Sequence, residues 1–204
     1  MIIKVCGMSQ GENIRAIERL PIQWMGFIFY PKSPRFLAAP PAYLPTKVKR
    51  VGVFVDADDT FIQRHVDTYQ LDIIQLHGKE TPKDCDRIKE FTHKTIIKAF
   101  GISDEASFAS VSSYENHVDY FIFDTCCHSR GGSGRKFDHT LLRYYTGNTP
   151  FLLSGGIGEN DFKDIRDIHH PRMCGIDLNS RFEVAPALKS AEKLEHFINQ
   201  LYKL

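Results

Sequence analysis

One residue that could carry chemistry in this sequence is an aspartate at the end of an apolar run. Residues 120–123 predict a buried strand, and Asp124 follows them at the C-terminal end of that strand. The residues that come next are rich in glycine and include Gly132 and Gly134, so their backbone can bend and approach a ligand closely. An acid beside such a stretch is typical of α/β enzymes in which a loop closes over the substrate. A surface loop after an ordinary strand explains the same residues equally well.

A second glycine cluster predicts a phosphate site. Ser154 ends another apolar run and is followed by Gly155, Gly156 and the start of a predicted helix. Backbone N–H groups exposed at such a junction suit an anion. Asn179, Ser180 and Arg181 follow the next predicted strand and would complete the site. The alternative is that the glycines only form a tight turn.

A cysteine ends the first predicted strand. Cys6 precedes Gly7, and Lys4 lies two residues before it, on the same face of the strand. A buried core thiol is the usual state of a free cysteine. A thiol in this position could also act as a base or nucleophile, because neighbouring cations increase the thiolate fraction.

Three further side chains are candidates for substrate binding. Arg35 lies between a proline and a phenylalanine after the second predicted strand, and its planar guanidinium suits a carboxylate. A solvated arginine is the alternative. Gln75 and His77 share one face of the fourth predicted strand. His77 could be a base, a hydrogen-bond donor or a core histidine whose hydrogen bonds are satisfied.

Eight β-rich runs alternate with amphipathic helical patterns along the whole chain. The predicted strands are 2–6, 24–29, 50–55, 72–77, 95–100, 118–124, 150–154 and 174–178. The predicted helices are 12–20, 59–69, 82–91, 104–112, 138–145, 160–168 and 188–201. This alternation predicts an α/β protein of the (β/α)8 TIM-barrel class, a small single domain spanning residues 1–204. An open doubly wound sheet is the structural alternative.

A closed barrel would bring the candidate residues to one rim, because the C-terminal ends of all eight strands meet there. Strand eight would then neighbour strand one, so we expect Asp177 to pair with Lys4, since a buried lysine requires a partner. Pro40, Pro41 and Pro45 lie where the second outer helix would begin, and we expect that helix to be reduced or missing.

Composition argues against several classes of protein. The 26 basic and 25 acidic side chains give a net charge of +1, which is too small to attract nucleic acid or an anionic membrane. No apolar stretch is long enough to span a bilayer, and residues 1–6 lack the pattern of a signal peptide. The five cysteines include no Cys-x-x-Cys pair, so we expect a reduced, cytoplasmic protein with no metal site.

Several motifs together resemble the phosphoribosylanthranilate isomerase family. The Lys-Val-Cys-Gly-Met start at 4–8 and the Pro-Lys-Ser-Pro-Arg loop at 31–35 are the most specific. The similarity continues in chain order at 51–55, 75–78, 123–125, 131–138, 153–157 and 175–177. At position 181 the sequence departs from the family, which usually has a glycine where this chain has arginine.

This resemblance implies an Amadori rearrangement in tryptophan biosynthesis that requires no cofactor and no metal. It converts N-(5′-phosphoribosyl)anthranilate into 1-(2-carboxyphenylamino)-1-deoxyribulose 5-phosphate. By analogy, Asp124 is the general acid, Cys6 the general base and Arg35 the residue that holds the anthranilate carboxylate. The phosphate would bind the loops after strands six to eight, chiefly the backbone of Gly156 and residues 179–181. Arg181 would either bend that loop differently or contact the phosphate. The partner is a phosphorylated small molecule, and the assembly is a monomer or a homodimer.

Rival functions remain on the same fold. The histidine-pathway isomerase of this reaction type has an aspartate at the end of strand one, where this chain has Cys6. Indole-glycerol-phosphate synthase requires lysines and glutamates at several strand ends that are not found here. A cysteine-nucleophile enzyme in which His77 activates Cys6 is a third rival, and a non-catalytic phosphosugar-binding barrel is a fourth.

Overall fold

The chain forms a closed barrel of eight parallel strands. The computed structural model describes residues 1–124 and 139–203. The barrel strands are β1 (Ile2–Val5), β2 (Trp24–Ile28), β3 (Lys49–Phe54), β4 (Ile73–Leu76), β5 (Thr95–Gly101), β6 (Tyr120–Asp124), β7 (Phe151–Ser154) and β8 (Met173–Leu178). They pair in chain order, and β8 pairs with β1 to close the ring. The predicted barrel is confirmed, and the open sheet is excluded.

Helices cover the outside of the barrel. The α-helices are α1 (Gly11–Ile17), α2 (Asp59–Tyr69), α3 (Pro82–Thr92), α4 (Phe162–Arg166) and α5 (Ala191–Tyr202). More tightly wound 3₁₀ helices run over Glu105–Tyr114, His139–Tyr144 and Ser180–Phe182. In the described part of the chain, none of these helices is long and apolar enough to span a lipid bilayer.

Three predicted helices differ from the structure. The regions predicted at 104–112 and 138–145 form 3₁₀ rather than α-helix, and residue 138 lies outside the described residues. The predicted helix 188–201 begins only at Ala191, because Ser190 caps it by accepting a hydrogen bond from the backbone N–H of Lys193 at 3.2 Å. The two residues before this cap instead form a strand, β10 (Leu188–Lys189), which pairs with β9 (Glu183–Ala185).

The second outer helix is missing, as predicted. Residues 29–48 contain no helix and follow an irregular path past the prolines. The Glu18 carboxylate holds this segment against α1, accepting hydrogen bonds from Tyr43 Oη (2.5 Å), Lys47 N (2.5 Å) and Thr46 N. Burial acts to raise the pKa of Glu18, but these hydrogen bonds outweigh it and keep that pKa below its ordinary value.

The strands alternate between two apolar cores. Side chains on one face fill the barrel interior, among them Trp24, Val51, Ile73, Ile122 and Leu152. The opposite faces pack against the helices in a larger core. Because strand side chains have a period of two, the inward positions continue to the rim, where apolar residues give way to polar ones.

An ion pair lies inside the barrel. Lys4 Nζ donates to both carboxylate oxygens of Asp177, at 3.0 Å and 2.9 Å, across the β1–β8 seam. Lys4 is completely buried, and Asp177 is 7% exposed. The predicted pairing is confirmed. Burial acts to lower the pKa of Lys4, but the adjacent Asp177 carboxylate raises it above the ordinary value, so Lys4 stays charged.

We expect Lys4→Met to destabilise the protein strongly, because it leaves the Asp177 carboxylate buried without its cation. The expected loss in free energy of unfolding is about 3–5 kcal/mol, measured by urea unfolding followed by circular dichroism. Lys49→Met, at the exposed start of β3, is the control, with an expected change within about 0.5 kcal/mol. Equal effects of the two substitutions would contradict the importance of the pair.

Candidate active site

Cys6 lies at the rim of the barrel, directly after β1. Its thiol is nearly buried and packs over the backbone of Gly26 in β2. A Cβ on Gly26 would stand 2.7 Å from Cys6 Sγ, so only glycine leaves space for the thiol in this position. Burial raises the pKa of Cys6, while the cations of Lys4 and Lys189 act to lower it and the charge of Asp177 acts to raise it. The thiol is therefore protonated at neutral pH but lies beside two cations that favour its thiolate.

Asp124 ends β6 and is half-buried at the same rim. Its backbone pairs with Gly101 on one side and Ser154 on the other, two residues beyond the inward-facing Ile122. The charge of Asp124 acts on the pKa values of both His77, at the mouth, and Asp177, inside the barrel beneath it. In the strand order, β6 and β1 are separated by two strands, so Asp124 and Cys6 approach the mouth from different sides. The candidates Gly132 and Gly134, in the segment after Asp124, lie outside the described residues.

Gln75 and His77 do face the mouth together. The Gln75 amide nitrogen lies 3.0 Å from His77 Nδ1, with Gln75 buried and the His77 side chain exposed at the opening. Because an amide NH2 can only donate, Nδ1 is the acceptor and neutral His77 carries its proton on Nε2. Desolvation lowers the pKa of His77, although Asp124 acts to raise it, so the imidazole is neutral at neutral pH. With Nδ1 accepting from Gln75 and Nε2 carrying the proton, neither ring nitrogen of His77 is available to take a proton from Cys6, which counts against the cysteine-nucleophile enzyme.

Arg35 forms a bidentate ion pair within the protein. Its Nε and Nη2 donate to the two oxygens of Glu183 at 2.8 Å and 2.6 Å. Lys189 Nζ donates to the same carboxylate at 2.5 Å and to Asn179 Oδ1 at 2.8 Å. The structure thus brings Arg35 and Asn179 together. The sequence analysis predicts that Arg35 binds a carboxylate and that Asn179 belongs to the phosphate site.

Sequence reasoning missed Glu183 and Lys189 as members of this site. Lys189 lay inside the helix predicted from 188, where a lysine would be an ordinary surface residue. Ser190, a good N-cap before Ala191, was the signal that could have placed the helix start later and left Lys189 in β10.

The glycine loop after β7 has an open backbone. Gly155 and Gly156 have φ values of +98° and +67°, and a Cβ on Gly156 would meet nothing within 4 Å. Arg181 approaches the loop from the β8 side, with its Cβ 3.8 Å from the position of a Cβ on Gly158. The following helix, α4, has only five residues, so its dipole is weaker than the sequence pattern implied.

One groove in the described part of the chain lies away from this mouth. It has a volume of about 690 Å³ and is lined by residues such as Arg50, Gln63 and Lys94. Arg50 and Asp72 lie at the N-terminal ends of the strands, so this groove is on the face opposite Cys6. Within residues 1–124 and 139–203, no three His, Cys, Asp or Glu side chains converge as metal ligands would.

Comparison with known proteins decides the family. The profile of the N-(5′-phosphoribosyl)anthranilate (PRA) isomerase family matches residues 3–200. The chain belongs to the PRA isomerase family. An N-(5′-phosphoribosyl)anthranilate isomerase from Parabacteroides distasonis is 47% identical over 207 residues, covering 98% of this chain and 93% of the relative. Like the family, the chain is an intramolecular oxidoreductase that isomerises N-(5′-phosphoribosyl)anthranilate in tryptophan biosynthesis.

Solved structures show the same fold. The chain matches phosphoribosyl anthranilate isomerase in complex with reduced 1-(o-carboxyphenylamino)-1-deoxyribulose 5-phosphate, with a TM-score of 0.82, 27% identity and full coverage of both chains. It matches monomers derived from the dimeric enzyme of Thermotoga maritima equally well, with a TM-score of 0.82, 27% identity and full coverage. The family relationship excludes the histidine-pathway isomerase, indole-glycerol-phosphate synthase and the non-catalytic barrel.

We expect Gly26→Ala to reduce activity, because the new methyl group must displace the Cys6 thiol. A shift of about 1 Å at a reacting group can cost about 100-fold, so kcat/KM should fall by at least about 10-fold. The assay is the loss of substrate fluorescence during turnover of phosphoribosylanthranilate. Thr68→Ala, an exposed change near the C-terminal end of α2 and away from the mouth, is the control. Full activity of Gly26→Ala would show that the packing of the thiol against β2 is not required.

Proposed function

We propose that Asp124 is the general acid and Cys6 the general base of the isomerisation. The observation that carries this proposal is the placement of one carboxylate and one thiol at the ends of β6 and β1, around a single barrel mouth. Acid–base catalysis needs two such groups within reach of one substrate, each contributing about 10²–10⁴-fold to the rate.

The reaction begins with ring opening. Asp124 protonates the ribose ring oxygen as the bond between that oxygen and C1′ breaks. The anthranilate nitrogen supplies its lone pair to C1′, which gives a protonated Schiff base. Asp124 is left as a carboxylate, and its backbone pairing to β5 and β7 keeps its position at the rim.

Proton abstraction follows at C2′. The Cys6 thiolate takes the C2′ proton, and the released electron pair forms the C1′–C2′ double bond and neutralises the Schiff base. The resulting enolamine becomes the ketone when C1′ gains a proton and the C2′ hydroxyl loses one. The sequence of steps balances without an external electron carrier, as an intramolecular rearrangement requires.

The ordering of these steps suits a buried thiol. Burial raises the pKa of Cys6, so the free enzyme holds it mainly as the thiol, with Lys4 and Lys189 acting in the other direction. Cys6 must first lose its thiol proton to solvent. A positively charged Schiff base beside Sγ adds a third cation, which lowers the pKa of Cys6 and favours this loss at the step that needs the thiolate.

Two anionic groups of the substrate would be held at different parts of the rim. Glu183 occupies one edge of the Arg35 guanidinium. The other edge would bind the carboxylate of the anthranilate ring. The phosphate would bind the open backbone of Gly155 and Gly156, with Arg181 beside the loop. A phosphorylated substrate is supported by the ligand of the similar solved enzyme.

Gln75 and His77 complete the proposed substrate contacts. Neutral His77 would present its Nε2–H to substrate hydroxyl groups, with Gln75 fixing the tautomer. Residues 179–181 and the glycines at 132 and 134 remain proposed phosphate contacts. For the assembly, the dimeric Thermotoga maritima relative supports a homodimer over a monomer. The biosynthetic family supports a cytoplasmic location.

We expect Cys6→Ala and Asp124→Asn each to abolish most of the isomerisation. The expected loss in kcat is about 10²–10⁴-fold for each, because one proton transfer loses its group. The measurement is steady-state turnover of phosphoribosylanthranilate by fluorescence. Cys174→Ala is the control, since Cys174 lies at the N-terminal end of β8, away from the mouth. Full activity in either variant would overturn the assignment of that residue.

We expect Arg181→Ala to weaken substrate binding more than it slows turnover. A hydrogen bond to a charged group contributes about 1.5–3 kcal/mol, and exposure reduces that, so KM should rise by about 5- to 10-fold while kcat changes little. The inhibition constant of inorganic phosphate should rise in parallel. Arg19→Ala, an exposed change beyond α1, is the control. An unchanged KM would remove Arg181 from the phosphate site.

A further inference from the structure

Arg35 belongs to a largely buried cluster of charged and polar side chains. It consists of Arg35, Glu183, Lys189 and Asn179, and we call it the arginine clamp. The Lys189 side chain is fully buried, Glu183 is 7% exposed and Arg35 is 19% exposed. Long charged side chains lose rotamer freedom when they are held in this way, so such a cluster is a built feature rather than a chance surface contact.

The clamp leaves one edge of the guanidinium available. Arginine has five N–H donors, and Glu183 accepts from Nε and Nη2 only. The three remaining donors include both on Nη1. The Nη1–Nη2 edge is therefore a second fork that fits another carboxylate in two-point fashion.

Glu183 is itself held on its far side. Its Oε1 accepts from Lys189 Nζ at 2.5 Å and from the backbone N–H of Ala187 at 3.1 Å. Lys189 is anchored in turn by Asn179 Oδ1 at 2.8 Å, and its backbone N–H donates to Asn13 at 2.8 Å. The carboxylate therefore cannot swing away with Arg35, and the orientation of the guanidinium is set before any substrate arrives.

The clamp sits directly on the backbone next to Cys6. A Cβ on Gly7 would stand 2.8 Å from Arg35 Cδ and 3.0 Å from Asn179 Oδ1. Its charges do not cancel: two cations, Arg35 and Lys189, share the single carboxylate of Glu183, which leaves a net charge of +1. A nearly buried cluster with one surplus positive charge favours the binding of one further anion.

We propose that Glu183 and Lys189 are positioning residues that set substrate specificity by orienting Arg35 so that its free Nη1–Nη2 edge receives the ring carboxylate. This inference rests on the proposed contact between Arg35 and that carboxylate. It explains why Arg35 is ion-paired and still available to a ligand. It also gives the β9–β10 hairpin a role, because its strands carry Glu183 and Lys189.

The experiment compares two inhibitors that differ by one group. One is reduced 1-(2-carboxyphenylamino)-1-deoxyribulose 5-phosphate, and the other is the same compound without the ring carboxyl group. Their inhibition constants are measured for the full-length enzyme and for Glu183→Gln and Lys189→Met. Glu195→Gln, on the exposed side of α5, is the matched control.

We expect the native enzyme to bind the carboxylated inhibitor more tightly. Each clamp variant should reduce that preference by at least 10-fold while changing the inhibition constant of the carboxyl-free compound by less than 3-fold. Glu195→Gln should leave both constants unchanged. A purely structural role for the hairpin would weaken both inhibitors alike, and an unchanged preference would exclude any role, so either result overturns the proposal.

Two outcomes separate this inference from the underlying assignment. If the native enzyme itself does not prefer the carboxylated inhibitor, the contact between Arg35 and the ring carboxylate is wrong. If Glu183→Gln fails to fold, Lys189→Met decides the question, because it keeps Glu183 and Arg35 paired but removes the cation that holds Glu183. An unchanged preference in a folded Lys189→Met would then overturn the role of Lys189 and the proposed chain of support.

Discussion

The ion pair between Lys4 and Asp177 joins the first barrel strand to the last, inside the barrel and directly beneath the mouth. Two charges in this position cost desolvation energy, and an apolar pair of similar volume often gives equal or greater stability. The particular contribution of the charged pair is therefore its field. Lys4 places a permanent cation beside the Cys6 thiol, while Asp177 keeps that cation charged in the buried interior.

Further charged side chains of both signs lie between this ion pair and the rim of the barrel. Above Cys6 lies the arginine clamp, whose Lys189 acts on Cys6 from the other side. Around the mouth, Asp124 acts on the neutral His77 and on Asp177. The proposed proton transfers to and from the substrate would take place among charges that the folded chain already holds in position, which is the condition for electrostatic catalysis.

Irregular segments of the chain carry much of the site. The missing second helix leaves residues 29–48 as a long segment, which Glu18 ties to α1 and which presents Arg35 at the rim. After β8, the short hairpin carries Glu183 and Lys189, and buried Phe182 packs against Phe197 of α5, with ring centroids 5.2 Å apart. Rigid anchoring of this kind lets loops hold catalytic geometry as firmly as strands do.

Hydrophobic periodicity and glycine placement in the sequence determined the barrel, its eight strands and the rim positions of Cys6, Asp124, Arg35 and His77. They also determined the pairing of Lys4 with Asp177, because period two and ring closure leave one neighbour of opposite charge. Only the tertiary structure decided that Arg35 is already paired with Glu183, and that Lys189 belongs to a strand and not to the final helix. The contact between Arg35 and Glu183 joins residues 148 positions apart, and the contact between Lys189 and Glu183 joins residues 6 positions apart. Both depend on the register of the β9–β10 hairpin, which no local sequence pattern specifies. Side-chain packing over Gly7 and Gly26 likewise depends on which strands become neighbours, so the cluster around Cys6 exists only once the ring has closed.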